Sequence, residues 1–273
     1  MVKNPRRSWP LWICGGSVPA GVKPWKFLWG RSWKPESAGF CGRIGCWRSL
    51  ASLAEHIKKG NRVTVVGRLT YNEFENIIKD KFPEVTAEQM DQFMKMEELY
   101  RDWNSKINVV SRKDIDELYR HHVLHSLGIA AYVKTHMPDV YDHLRGEGPY
   151  SAALPLKILD LGTGGGFPGV PLAVMFPKAE FTLCDSIGKK IIVATEVSKG
   201  LDLKNVTTVN ARAESLPETF NYVVSRAVTS LDNFMPWVKG KYTDGILYLK
   251  GGDLTEEIAS ARLPKGSVKT WPI

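Results

Sequence analysis

The stretch Asp160-Leu-Gly-Thr-Gly-Gly-Gly-Phe-Pro-Gly169 (DLGTGGGFPG) decides the fold of this chain. It follows the apolar segment 156–161 and precedes a helix predicted over 170–175. A glycine-rich turn is informative when it lies between a strand and a helix in this way. Ligands of α/β sheets bind at the carboxyl ends of the strands, where this loop must lie. The loop therefore predicts a ligand site at that edge of a sheet.

The spacing of the glycines separates two classes of ligand. A dinucleotide fingerprint needs glycine at its first, third and sixth positions, and counting from Gly162 places Phe167 at the sixth. An aromatic ring there disfavours close approach of a pyrophosphate to the helix. Gly162, Gly164 and Gly166 instead form a G-x-G-x-G turn after an acidic residue, the form that methyltransferases use for S-adenosylmethionine. A purely structural glycine turn is the alternative.

Two further segments follow predicted strands at the same edge. Asp185 ends the second strand, where a carboxylate can accept hydrogen bonds from the hydroxyls of a ribose. Asp185 is also suited to cap the helix predicted from Ile187, and the two roles are compatible. After the third strand, the backbone of Ala213 and Glu214 lies where an adenine edge would reach; a solvated turn is the other interpretation.

Strands and helices alternate around these segments. The apolar pattern predicts strands at 156–161, 180–184, 206–209, 222–225, 246–249 and 268–273, with helices at 170–175, 187–198, 231–238 and 254–261. Such alternation predicts a doubly wound, mostly parallel α/β sheet over 156–273.

A helical part is predicted over 71–136, followed by a linker at 137–155 that is rich in Gly, Pro and charge. Its first helix covers 72–82. Thr86 and Gln89 form a capping box that opens the second, and Ser111 with Asp114 opens the third. The expected buried residues of the second helix are Met90, Phe93, Met96, Tyr100, Trp103 and Ile107, and those of the third are Ile115, Leu118, Val123, Leu127 and Ala130.

Residues 1–70 form an N-terminal extension of different composition. Residues 1–50 contain nine Lys or Arg against one acid, the whole of the net charge of +8, together with six of the nine Trp residues. No regular period links these residues, so we expect 1–45 to be disordered, although stacking on single-stranded bases is an alternative. Residues 46–70 resemble a fragment of single-stranded-DNA-binding proteins, too short for a closed OB barrel.

The composition argues against several other classes of protein. No apolar run approaches the ~20 residues that span a bilayer, and no signal peptide is evident, so a cytoplasmic protein is expected. Cys41 and Cys46 lack a second ligand pair for zinc. His121 and His125 share a helix face, but the zinc pattern needs Glu where His122 stands. Packing or polar contacts are therefore expected of these histidines, and no metal.

Six segments together carry a family resemblance. They are WNSKINVVSR (103–112), HHVLHSL (121–127), LDLGTGGGFPGVPLA (159–173), DSIGKK (185–190), NARAESL (210–216) and VVSRAVTSL (223–231). From about Asn72 onwards the chain resembles the RsmG or GidB family of bacterial methyltransferases, which modify the 7-position nitrogen of a guanine in small-subunit (16S) ribosomal RNA.

The resemblance implies a Rossmann-like sheet with an N-terminal helical cap and S-adenosylmethionine as cofactor. The family's cofactor positions fall on Gly162, Phe167, Ala213, Glu214 and Arg226. The loop spacing adds Gly164, and the end of the second strand adds Asp185. Two departures are that many members have Asp at His125, which therefore carries no predicted role, and that the family continues beyond Ile273 with a further strand. The partner would be 16S RNA or the small ribosomal subunit, and the chain would act as a monomer.

The chemistry of this acceptor needs no catalytic base. The 7-position nitrogen of guanine carries a lone pair and no proton, so alignment of the reactants would drive the transfer. Arg226 is expected to anchor the cofactor carboxylate or an RNA phosphate. Arg112, Lys113, Lys189 and Lys190 flank the expected site and are the candidates for RNA binding. The alternatives are a small-molecule methyltransferase, and a nucleic-acid-binding module whose glycine loop is vestigial.

Overall fold

The computed structural model describes residues 11–14, 68–111 and 113–272. Its centre is a sheet of seven parallel strands in the order β4-β3-β2-β5-β6-β1-β7. The strands are β1 (Leu11–Cys14), β2 (Lys157–Leu161), β3 (Glu180–Asp185), β4 (Val206–Asn210), β5 (Phe220–Arg226), β6 (Tyr242–Leu249) and β7 (Val268–Trp271). The predicted α/β class and the six predicted strands are confirmed.

The helices lie before the sheet and between its strands. They are α1 (Tyr71–Lys81), α2 (Ala87–Lys106), a π-helix (Leu118–Leu124), α3 (His125–His136), α4 (Pro138–Arg145), α5 (Gly169–Met175), α6 (Gly188–Gly200), α7 (Leu231–Trp237) and α8 (Thr255–Ser260). Single 3-10 turns occur at Ile115–Glu117, Gly148–Tyr150 and Ala213–Ser215. No helix of the described ranges has the length and apolarity that a membrane span requires.

The helical part packs against the sheet as its pattern predicts. Thr86 and Gln89 form both bonds of the capping box at the start of α2. Gln89 is itself buried, because its amide also donates to the carbonyl of Val174 in α5. Met90, Phe93, Met96 and Tyr100 of α2 are buried, whereas Trp103 and Ile107 are partly buried. This stripe fixes the helical part against α5 and α6.

The sheet has an apolar core on each face. The larger core joins the helical part to one face, and the smaller one packs α7 on the other through Phe234 and Tyr248. Leu159 and Val223 of the neighbouring strands β2 and β5 are fully buried in the smaller core. Burial on both faces explains why these strands read as apolar runs and not as alternating patterns.

Two predictions about segments outside the predicted sheet are wrong in part. The expected linker at 137–155 contains the helix α4, because Tyr141 and Leu144 bury their side chains and Pro138 begins the helix. The expected disordered extension contains β1, which pairs with β6 on one side and β7 on the other. The other extension residues, 1–10 and 15–67, with nearly all of the OB-like fragment, lie outside the described residues.

Candidate active site

A cavity of about 710 Å³ opens beside the glycine loop at the carboxyl ends of β2, β3 and β5. It brings together residues from all six segments that carry the family resemblance. The predicted cofactor residues that line it are Gly162, Gly164, Phe167, Asp185, Ala213, Glu214 and Arg226. Segments that are distant in sequence therefore meet around one space, because parallel strands end at one edge.

Two glycines of the loop are required for different reasons. Gly162 has φ +72°, and a Cβ there would lie 2.4 Å from Val228 Cγ2. Gly164 also has positive φ, +56°, but a Cβ there would meet nothing within 4 Å. Gly162 thus permits close packing of the loop on the segment after β5, whereas Gly164 leaves its backbone open to the cavity.

Asp160 stabilises the loop through hydrogen bonds to its backbone and to a side chain. Its buried carboxylate accepts hydrogen bonds from the Thr163 hydroxyl at 2.6 Å and from the Gly169 amide at 2.8 Å, both through Oδ2. Burial raises the pKa of Asp160 to about 7, although these two bonds and the charge of Arg226 act in the opposite direction. Asp160 does not line the cavity. Its role is to hold the loop against the start of α5.

Asp185 connects the loop to the next crossover. Its Oδ2 accepts a hydrogen bond from the Gly164 amide at 3.0 Å, and its Oδ1 accepts one from the Ile187 amide at 2.8 Å. The second bond is of the kind expected from the helix-capping interpretation, although Ile187 itself is the N-cap residue of α6. Asp185 also lines the cavity. Its predicted contact with a ribose is therefore compatible with the bond to Ile187, and it stays a prediction.

Arg226 lies at the junction of the sheet and the helical part. Its guanidinium donates to the carbonyl of His121 at 3.0 Å and to Nδ1 of His122 at 2.9 Å. It also lies over the Phe167 ring, 5.2 Å from the centroid. The Phe167 ring is buried and stacks on Tyr100 with centroids 4.6 Å apart. Arg226 and Phe167 therefore have structural contacts of their own besides their place in the cavity wall.

The helical part holds the loop from the opposite side. The Tyr100 hydroxyl donates to the carbonyl of Gly165 at 3.0 Å. A Cβ on Gly165 would lie 2.8 Å from Val109 Cγ2. The Asn104 side chain fixes the backbone of that segment by accepting from the amides of Val109 and Val110. The cavity is therefore walled jointly by the sheet and by the helical part.

The three histidines of the π-helix and α3 have separate environments. Nδ1 of His121 lies 3.2 Å from Asp114 at the surface. His122 receives its bond from Arg226, and burial with the charge of Arg226 lowers its pKa to about 4. His125 lines the cavity, and burial together with Arg226 lowers its pKa also to about 4. No cluster of potential metal ligands occurs in the described part of the chain.

The four RNA candidates differ in position. Lys190 lines the cavity and is half-buried, whereas Lys189 beside it is exposed. Lys113 is exposed and lies outside the cavity wall. Arg112 lies outside the described residues. Of the three candidates that the structure describes, Lys190 is the one that lines the cavity.

Sequence reasoning missed several residues of the cavity wall. Val109, His125 and Trp237 all line it and carry no predicted role. Val109 and His125 reach the cavity only through the packing of the helical part on the loop. Trp237 ends α7, where nothing in the local pattern distinguishes a cavity residue from a core residue. The one available signal for His125 was its place within the HHVLHSL motif.

Comparison with known proteins places the chain among ribosomal RNA methyltransferases. Residues 87–265 match the family model GidB, described as rRNA small subunit methyltransferase G. A protein named ribosomal RNA small subunit methyltransferase G from Christiangramia forsetii is 51% identical over 69% of this chain and 85% of its own length. Its namesake from Cytophaga hutchinsonii is 49% identical over 69% of this chain and 86% of its own length.

Proposed function

The chain belongs to the GidB family of the rRNA small subunit methyltransferase G, and on that premise we propose its reaction, substrate and cofactor. It transfers a methyl group from S-adenosylmethionine to the 7-position nitrogen of a guanine in 16S ribosomal RNA. The observation that carries the proposal is the common cavity lined by all seven predicted cofactor residues. Membership of the family supplies the class of substrate, which the cavity alone does not define.

The residues present fit such a cofactor. A volume of about 710 Å³ falls within the ~300–1,000 Å³ typical of small-molecule sites. The open space at Gly164 lets a ligand approach the backbone without a Cβ in its way. Asp185 would hold the ribose, and Ala213 with Glu214 would hold the adenine edge. These are the roles that we propose for the four residues.

The transfer itself needs little from the protein beyond placement. When bound, S-adenosylmethionine supplies an activated methyl group on a positively charged sulfur. The acceptor nitrogen has a lone pair and no proton, so none of the side chains has to act as a base. The cavity contributes by fixing distance and angle, and oriented binding can supply ~7–11 kcal/mol of a barrier.

We assign Arg226 an anchoring role at this site. Two of its nitrogens are engaged by His121 and His122, and these bonds hold the guanidinium in one orientation at the cavity wall. A fixed guanidinium is suited to the carboxylate of the cofactor or to an RNA phosphate. Arg226→Ala should weaken binding of one of the two; unchanged affinity for both would disprove the anchor.

The basic residues at the mouth are the proposed contacts to RNA phosphates. Lys189 and Lys190 stand together at the start of α6, and Lys113 with Arg112 would extend the surface. Each phosphate contact adds to the salt dependence of binding. Replacing both lysines of α6 by Ala should therefore reduce the log–log salt slope of RNA affinity, and an unchanged slope would remove them from the interface. A cytoplasmic location remains a prediction. A monomeric state is a second prediction, and sedimentation tests it.

The test of the function is methyl transfer to small-subunit RNA. Purified full-length chain is incubated with S-adenosylmethionine that carries a labelled methyl group, and with either 16S RNA or 30S subunits that lack the modification. Nucleoside analysis should place the label in 7-methylguanosine. RNA made with 7-deazaguanosine, which lacks the acceptor nitrogen, is the matched control. Label in another nucleoside, or persistent label in the control RNA, would overturn the proposal.

A further inference from the structure

His125 is the polar residue that the described helical part contributes to the cavity. Among the described residues that line the cavity, only Val109 and His125 precede β2 in the chain. All seven predicted cofactor residues lie on the loops and strand ends of the sheet. His125 therefore belongs to the part of the wall that none of the proposed cofactor contacts uses, and is placed for a second occupant, the methyl acceptor.

The imidazole of His125 has no partner of its own among the described residues. The rings of its neighbours are engaged, since Nδ1 of His121 meets Asp114 and Nδ1 of His122 accepts from Arg226. No described group hydrogen-bonds the ring of His125, although that ring is only partly exposed. A half-buried polar ring in a cavity wall has its hydrogen-bonding capacity available to a ligand.

The surroundings of His125 determine its protonation state. Burial is the main cause that lowers its pKa to about 4, and the charges of Arg226 and His121 act in the same direction. At neutral pH the ring is uncharged. One of its nitrogens then carries a lone pair and accepts a hydrogen bond, which an imidazolium cannot do.

Methylation changes the charge of the acceptor base. The lone pair of the 7-position nitrogen forms the new bond to carbon, the carbon–sulfur bond breaks, and sulfur keeps that electron pair. Positive charge therefore moves from sulfur to the purine, and no proton is transferred. The N–H groups on the opposite edge of the guanine become stronger donors as the charge develops. An acceptor that faces them binds more strongly in the transition state than in the ground state, and so accelerates the reaction.

Resting on the proposed function, we propose that His125 binds the target guanine by accepting a hydrogen bond from its N1–H or 2-amino edge. His125 then both orients the base and favours the charge that the base acquires. His125 has to be uncharged for this role, because an imidazolium would repel a purine that is becoming cationic. Arg226, which lies close enough to influence His125, helps to keep the ring in that form.

The experiment compares variants of His125 in the full-length chain. His125→Leu removes the lone pair, whereas His125→Asn and His125→Gln retain a neutral acceptor. We expect His125→Leu to lower kcat for RNA methylation by about 10-fold or more, with an unchanged Kd for S-adenosylmethionine. At least one of the amide variants should recover most of that loss. His136→Leu is the matched control, because its exposed ring lies at the other end of α3 and outside the cavity wall, and it should leave kcat unchanged.

Several outcomes would overturn the proposal. One is a kcat for His125→Leu within about twofold of the wild type, less than a lost hydrogen bond implies. Another is a rise in the Kd of the cofactor that matches the fall in kcat, which would place His125 at the cofactor. Failure of both amide variants to recover activity, despite wild-type cofactor affinity, would show that an acceptor is not what the site needs. Wild-type chain that methylates no guanine would refute the proposed function itself, before any variant is compared.

Discussion

The glycine loop and the far edge of the sheet differ in the sequence separation of the contacts that stabilise them: short in the loop and long at the edge. In the loop, Asp160 bonds Thr163 and Gly169, and Asp185 bonds Gly164, all within one βαβ unit. At the far edge, Leu11–Cys14 pairs with β6 and β7, so that Leu11 lies opposite Ile246 and Val268 from the other end of the chain. The glycine loop is thus a local structure, and the far edge depends on closing a very long loop.

This difference separates function from stability. Local contacts form at a small cost in loop-closure entropy, and they hold a loop in one conformation even where the rest of the fold varies. A strand that returns from the distant N-terminal region lies between β6 and β7, whereas the glycine loop and Asp185 follow β2 and β3. Changes in the loop should therefore act on activity first, whereas changes at the far edge should act on unfolding first.

The largest effect is expected from Gly162→Ala. The new Cβ would lie 2.4 Å from Val228 Cγ2, so the loop has to move, and a displacement of about 1 Å at a reacting site can cost ~10²-fold in rate. Gly240→Ala is the matched control, because Gly240 has a similar φ of +76° but open space around its Cβ position. Both variants carry backbone strain, measured by thermal unfolding, and only Gly162→Ala should lose methylation. Equal activities would contradict the packing argument.

A smaller effect is expected from deletion of β1. Removal of residues 1–17 leaves β6 and β7 without their shared neighbour, whereas removal of residues 1–10 retains the strand. We expect the longer deletion alone to lower the melting temperature, by about 2–4 °C for each kcal/mol of lost stability, with little change in cofactor affinity. Identical melting curves for the two deletions would mean that the far edge does not depend on β1.

The same difference in range explains what could be predicted from the sequence. The glycine loop, the strand end at Asp185, the turn after β4 at Ala213 and the capping box at Thr86 could all be located, because each depends on residues close together in the chain. The strand β1 could not be predicted, since four residues among Trp, Gly and Pro carry no period and their partners lie more than 200 residues away. His125 was missed for the related reason that only tertiary packing brings α3 to the cavity.

The smallest effect tests how the helical part supports the loop. Tyr100→Phe removes the hydrogen bond to the Gly165 carbonyl, and Tyr71→Phe removes a bond of the same kind and length, 3.0 Å, to the carbonyl of Met90, which does not line the cavity. Each loss should cost about 0.5–1.5 kcal/mol of stability. Of the two acceptor residues, Gly165 lines the cavity and Met90 does not. Tyr100→Phe alone should therefore also raise the Kd of S-adenosylmethionine, by a few fold in calorimetric titration. If both variants bound the cofactor as the wild type does, Asp160 and Asp185 alone would suffice to hold the loop. The conformation of the loop would then depend less on α2 than its contacts with that helix suggest.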